Sequence, residues 1–266
     1  MKLHVETHGS GPDMVLVHGW GVNSGVWQRL LPVLKQRYRI TCVDLPGHGA
    51  SREVRMSSSL AAVATQVLEV APPSALWLGW SLGGLICLQI AMHAPLRVRA
   101  LMLSNTTPRF ITAADWPHAM PPAQLDAFAM ELNEDFAETV RRFLALQVLG
   151  DERARDTLRA LRDSVLARGE PDQDSLVAGL GILRDSDVRS GLHRISAPTL
   201  VLTGDYDRLT PPQAGQALAE MIADAKLRSF PRTSHAPFIS HPVRFADALD
   251  DFMNTLTPQR AHDRAN

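Results

Sequence analysis

A chain of 266 residues that is 45% hydrophobic can bury a sizeable core as one domain with room for an insertion. Its 27 Lys and Arg against 28 Asp and Glu leave a formal net charge of -1, which excludes the broad basic surface of a nucleic-acid binder. No apolar run approaches the ~20 residues needed to span a bilayer, so no membrane association is expected. The ten histidines are scattered and neither Cys42 nor Cys87 has a CxxC partner, so no metal site is expected and both cysteines read as buried free thiols.

The opening stretch "MKLHVETHGSG" alternates apolar and polar residues like a strand and lacks the apolar core of a signal peptide, which implies a cytoplasmic protein. Apolar runs suited to buried strands then follow at Met14 to Val17, Arg39 to Val43, Ala75 to Trp80, Ala100 to Ser104, Thr199 to Thr203 and Leu227 to Phe230. Helical patterns separate them, which predicts an α/β fold with a mostly parallel sheet covered on both faces and a site at the carboxyl ends of its strands. From about Trp116 to Leu192 helical patterns follow one another without a strand. The expected organisation is a core of residues 1–115 and 193–256, a helical cap over 116–192, and a frayed polar tail over 257–266.

Within "LWLGWSLGGLICLQIA", Ser81 stands between the strand ending at Trp80 and a helix over Leu82 to Met92, flanked by Gly79 and Gly83 in a G-x-S-x-G pattern. Small neighbours let strand and helix meet in a tight turn that pushes the hydroxyl outward, the placement of a nucleophile; an ordinary glycine-rich turn is the bland alternative. A nucleophile needs a base, and the base an orienting acid. Asp205 and Asp207 in "GDYDRLTP" follow one strand, and His235 in "PRTSHAPF" follows the last. The order Ser81, Asp207, His235 suits a Ser-His-acid hydrolase. Asp207 is preferred because it lies farther into its loop, with Asp205 left open. His241, before Pro242 at a helix start, reads as structural.

Negative charge on a tetrahedral intermediate needs donors. In "VLVHGWGVN", Gly19 and Gly21 let the loop after the strand Met14 to Val17 fold close to Ser81, so the backbone N–H groups of Trp20 and Leu82 are the expected pair. His18 reads as a brace for this loop rather than a reacting group. In "DERARDTLRALRDSVLAR", Arg155, Arg159 and Arg162 fall on one helical stripe that would suit an acidic partner, although such stripes are usually solvated faces.

The segments "HGWG", "DLPGHGAS", "GWSLGG", "GDYDRLTP" and "SHAPFISHP" resemble the α/β-hydrolase fold over nearly the whole chain. Tryptophan in both "HGWG" and "GWSLGG", with "FLALQ" and "HAPFISHP", resembles more narrowly the pimeloyl-acyl-carrier-protein methyl ester carboxylesterases of biotin synthesis. The resemblance implies Ser81, Asp207 and His235 as a catalytic triad, and a substrate surrounded by Trp20, Ser81, Leu82, His235 and the run Phe143, Leu144, Ala145, Leu146 and Gln147. It implies Arg142, Arg155 and Arg159 as contacts to an acyl-carrier protein, with Glu138 where the family can carry another arginine. It implies no cofactor, and a monomer is expected. A general short-chain carboxylesterase, a carbon-carbon bond hydrolase and a non-catalytic binding module of the same fold stay open.

Overall fold

The computed structural model describes residues 1–256; the segment 257–266, expected to be a frayed tail, lies outside the described residues. Seven strands, β1 (Val5–His8), β2 (Asp13–Val17), β3 (Arg39–Val43), β4 (Ala75–Trp80), β5 (Val98–Ser104), β6 (Thr199–Gly204) and β7 (Ala225–Phe230), form one sheet in the order β1-β3-β2-β4-β5-β6-β7. β1 runs antiparallel to β3 and every other pairing is parallel. All six residues of β4 are buried, the pattern of a strand covered on both faces. At the far edge β7 exposes Lys226, Leu227, Arg228 and Ser229, and its charges blunt an otherwise open row of backbone groups.

Among the described residues ten α-helices accompany the sheet: α1 (Leu31–Leu34), α2 (Leu60–Val70), α3 (Leu82–His93), α4 (Pro122–Glu134), α5 (Phe136–Leu146), α6 (Ala154–Arg168), α7 (Gln173–Asp185), α8 (Pro212–Met221), α9 (Pro237–Ser240) and α10 (Pro242–Leu256). α3 is apolar all round and almost wholly buried, as a central helix must be. α4 to α7 follow one another between β5 and β6 with no strand among them. Their starts are written locally. The Asp135 carboxylate accepts from the Glu138 N–H at 3.0 Å to begin α5, and Asp172 accepts from the Ser175 N–H at 2.9 Å to begin α7.

Polar contacts tie α6 to the layer below it. Arg29 pairs with Asp156 at 2.6 Å, Arg168 with Glu6 at 2.7 Å, and Arg153 donates to the Ser240 carbonyl at 3.1 Å. Each surface pair stabilises by at most about 1 kcal/mol, so these contacts set register more than strength. Cys42 and Cys87 are free and buried, and burial pushes both thiols up, Cys42 to about 12. Among the described residues no group of three His, Cys, Asp or Glu side chains has metal-binding geometry, and no helix is long and apolar enough to cross a membrane.

Candidate active site

Ser81 is the single residue between β4 and α3, with φ 56° and ψ -120°. A non-glycine residue there is strained, and its surroundings hold it: its N–H donates to Ser104 O at 3.1 Å and its carbonyl accepts from Thr106 Oγ1 at 2.7 Å. The turn can be this tight because Gly83 has no side chain; a Cβ there would collide with the carbonyls of Val17 and His18. The loop after β2 closes in from the other side. A Cβ added to Gly19 would lie 3.1 Å from the Ser81 Cβ, so the "HGWG" segment lies directly against the serine. Leu82 opens α3, and its N–H is one of the first-turn donors that the helix itself leaves without an acceptor.

Asp207, after β6, and His235, after β7, are both buried and meet at 2.8 Å between Asp207 Oδ2 and His235 Nδ1. The carboxylate also accepts from Thr210 Oγ1 at 2.6 Å, Asn105 Nδ2 at 2.8 Å, Leu209 N at 2.9 Å and Thr210 N at 3.0 Å. Burial alone would push Asp207 up, yet the charge of His235 and the donors from His235, Thr210 and Asn105 outweigh it and hold the carboxyl below its ordinary range. A carboxylate accepts only, so His235 donates through Nδ1, and in the neutral ring the lone pair sits on Nε2, which is buried and has no hydrogen-bond partner among the described residues. The ring rests on Trp80, whose centroid is 5.5 Å away and whose Nε1 donates to His235 O at 2.7 Å. Asp205, left open by the sequence, is exposed and accepts from Ser229 Oγ, and among the described residues His235 takes its carboxylate partner from Asp207 instead. His241 is held by Ser240 Oγ at 3.0 Å and Glu152 at 2.8 Å.

α5 closes over this centre. Phe143 packs edge-on against Trp20 with centroids 4.6 Å apart, and Gln147 O accepts from the His235 N–H at 3.0 Å. The run from Phe143 to Gln147 does not face one way. Phe143, Leu144 and Gln147 are buried, Leu146 is half-buried and Ala145 is exposed on the opposite face. Leu144 borders a separate cavity of about 300 Å³ between α5 and α6, beside Val140, Arg162 and Leu166. The expected partner arginines divide as well. Arg142 is paired with Glu131 at 2.7 Å, whereas Arg155 and Arg159 are exposed on α6 and make no ion pair among the described residues. Glu138 pairs with Arg141 at 2.9 Å.

Asn105 and Thr210 were not singled out in the sequence, although both sit just past a strand's carboxyl end or in the acid's own loop. Asn105, with φ 48°, also donates to Ser234 O at 3.2 Å, so one side chain joins the acid loop to the histidine loop. Asp151 supports the latter by accepting from Ser234 N at 3.2 Å.

A strained serine after the central parallel strand, with an aspartate and a histidine after later strands at the same sheet edge, defines a hydrolase architecture. A family profile described as alpha/beta hydrolase fold matches residues 12–242, and the chain belongs to that family. It is 44% identical over 256 residues to the pimeloyl-[acyl-carrier protein] methyl ester esterase of Chromobacterium violaceum, covering 96% of this chain and 99% of that protein. The protein of the same name from Stenotrophomonas maltophilia is 41% identical over 256 residues, covering 96% and 98%. Among solved structures, a hydrolase from Pseudomonas aeruginosa superposes with a TM-score of 0.82 at 31% identity, covering 94% of each chain.

Proposed function

We propose that this chain is a serine carboxylesterase that hydrolyses the methyl ester of pimeloyl-acyl-carrier protein to methanol and pimeloyl-acyl-carrier protein. The observations that carry the chemistry are the Asp207–His235 pair, with Nδ1 spent on the carboxylate and Nε2 bare, and Ser81 in a strained turn after β4, whose Trp80 packs against the His235 ring. The substrate follows the name shared by relatives at 41% and 44% identity over nearly the full chain.

In the proposed mechanism His235 Nε2 takes the Ser81 proton as Ser81 Oγ attacks the ester carbonyl, while Asp207 holds the imidazole in the Nδ1–H tautomer and balances its positive charge. The tetrahedral oxygen is held by the N–H groups of Trp20 and Leu82, each donor stabilising the transition state by about 3 kcal/mol. Collapse breaks the C–O bond, and His235 returns its proton to the leaving methoxide to give methanol. Water activated by the same nitrogen then splits the acyl-Ser81 ester, leaving a carboxylate and regenerating the serine. Trp20, Phe143 and Gln147 are the groups proposed to border the acyl chain, with Leu144, Ala145 and Leu146 on the same helix. A site bordered by the Trp20 and Phe143 rings accepts a methyl-capped end and disfavours a bare carboxylate, whose desolvation is costly. No cofactor takes part.

In the same reading residues 116–192 are a cap over a core of 1–115 and 193–256, the enzyme is a cytoplasmic monomer, and Arg142, Arg155 and Arg159 face the acidic carrier. A second reading, hydrolysis of small free esters, is favoured by the commitment of Arg142 to Glu131. Methanol release from the carrier-bound methyl ester, compared at matched concentration with a free short-chain methyl ester in wild type and Ser81→Ala, tests both. A large Ser81-dependent preference for the carrier substrate supports the first; turnover of the free ester alone supports the second.

A further inference from the structure

Two buried histidines outside the Asp207–His235 pair face each other across the loops that flank Ser81. His18, in "HGWG", and His48, in "DLPGHG", have ring centroids 5.3 Å apart. Their hydrogen bonds are reciprocal. His18 Nδ1 donates to Gly19 O at 2.8 Å, and its Nε2 accepts the N–H of Leu45 at 3.0 Å from the opposite loop. His48 Nδ1 donates to Pro46 O at 2.8 Å, and its Nε2 accepts the N–H of Gly21 at 3.3 Å, again from the opposite loop. Every ring nitrogen is satisfied by backbone, and the partners dictate the same tautomer in both rings: proton on Nδ1, lone pair on Nε2.

We propose that His48 is a positioning residue for the oxyanion loop: with His18 it locks the backbone on both sides of Trp20 and so aims the Trp20 N–H. This rests on the reading of that N–H as an oxyanion donor. The geometry is direct. Gly19 O and Trp20 N–H belong to one trans peptide unit and point in opposite directions, so tying the carbonyl to His18 turns the N–H the other way. Without a second tie the unit could still rotate about the bonds beyond Trp20. His48 supplies that tie at the next amide, Gly21. The lock needs neutral rings, since a protonated Nε2 would present a second donor to a backbone donor. Burial pushes His48 down to about 3 and pushes His18 down as well, against the opposing pull of Asp44 on both rings and of Asp172 on His48. Burial thus favours the neutral form of both rings that the backbone contacts require.

The test uses the whole enzyme with a soluble short-chain methyl ester. His48→Leu removes donor and acceptor, whereas in His48→Gln the Oε1 atom can still accept from Gly21. A misaimed oxyanion donor acts on the transition state alone. His48→Leu is expected to lower kcat by about tenfold to 100-fold with KM within about twofold. It is expected to weaken a trifluoromethyl ketone, whose tetrahedral adduct puts an oxygen in the oxyanion position, by the same factor as kcat/KM. His48→Gln is expected to restore most of both. A folded His48→Leu variant with kcat within about twofold of wild type overturns the inference, as does unchanged ketone affinity or a Gln variant as impaired as Leu. Should the Leu variant not fold, nitrogen-15 shifts of His48 in the wild type decide: a neutral Nδ1–H ring from about pH 5 to about pH 8 is required, and a charged or Nε2–H ring refutes it. Ser81→Ala separates the two claims. If it retains turnover, the serine-esterase reading falls; if it is inactive while His48→Leu is unimpaired, only this inference falls.

Discussion

Asn105→Ala removes one amide that serves two loops, and its cost can be worked from the contacts. The lost bond to Asp207 Oδ2, 2.8 Å in the wild type, is to an ionised acceptor and contributes about 1.5–3 kcal/mol; the bond to Ser234 O, 3.2 Å, contributes about 1 kcal/mol. Asn105 sits at φ 48°, where alanine is disfavoured by about 1 kcal/mol. Ser104 Oγ, which donates to Asn105 Oδ1 at 3.0 Å, loses its acceptor too. The expected destabilisation is about 3–5 kcal/mol, a large share of the stability of an ordinary domain. Asn105→Gly loses the same hydrogen bonds but tolerates the backbone angle, so it should be about 1 kcal/mol more stable than Asn105→Ala. Because His235 is aimed by Asp207 and by the Ser234 carbonyl's position, kcat should fall by about tenfold to 100-fold in both variants. Urea titration of wild type and the two variants reads the stability, and turnover of a soluble methyl ester reads kcat. An alanine variant within about 1 kcal/mol and twofold of wild type, or a glycine variant less stable than the alanine one, would refute the reasoning.

The two neutral histidines predict an acid-side stability slope. Their folded pKa values lie below the unfolded value near 6.5, His48 at about 3, so between those limits the unfolded chain binds protons that the native state does not. The His48 contribution is complete above about pH 6.5 and falls as the pH drops toward 3, by about 1.4 kcal/mol per pH unit, and His18 acts in the same direction; urea midpoints across that range should show a shallower slope in His48→Gln than in wild type. Asp207, held below its ordinary range, adds stability that is present above about pH 4 and lost on further acidification, so Asp207→Asn should flatten the most acidic part of the same curve. Gly179 on α7 leaves room for the Trp20 indole, which donates to Leu176 O at 2.9 Å; a Cβ there would come within 2.8 Å of Trp20 Cδ1. Gly179→Ala should therefore lower kcat for every ester, read by steady-state kinetics, while circular dichroism stays unchanged. Charge reversal at Arg155 and Arg159 together should raise KM for the carrier-bound ester by about tenfold or more and leave the free ester untouched; equal effects on both substrates would remove the docking role.

Much of the fold and of the proposed site is legible because the signals are local. Continuous apolar runs mark the parallel strands, β4 above all, and the alternation in "MKLHVETHGSG" marks the first strand, β1. Ser81 announces itself through Gly79 and Gly83, and Asp207 and His235 through their distance past strand ends. What escaped depends on contacts between separate loops. Nothing near Asn105 in "SNTTP" states that its amide will reach a carboxylate 102 residues away. Likewise the pairing of Gly21 with His48, 27 residues apart, exists only once β2 and β3 lie side by side. The sequence offers Phe143 to Gln147 as a contiguous block, but on a helix of 3.6 residues per turn such a block cannot all face one way, and Ala145 is exposed. The resemblance groups Arg142 with Arg155 and Arg159, and only the fold shows that α4 brings Glu131 within 2.7 Å of it.

Covalent labelling tests the central claim most directly. A serine-directed phosphonate ester, incubated with the enzyme and followed by intact mass and peptide mapping, should add one adduct at Ser81 in step with loss of esterase activity. Ser81→Ala should remain unlabelled and inactive. Labelling at another residue, or ester turnover retained in Ser81→Ala with normal circular dichroism, would contradict the account.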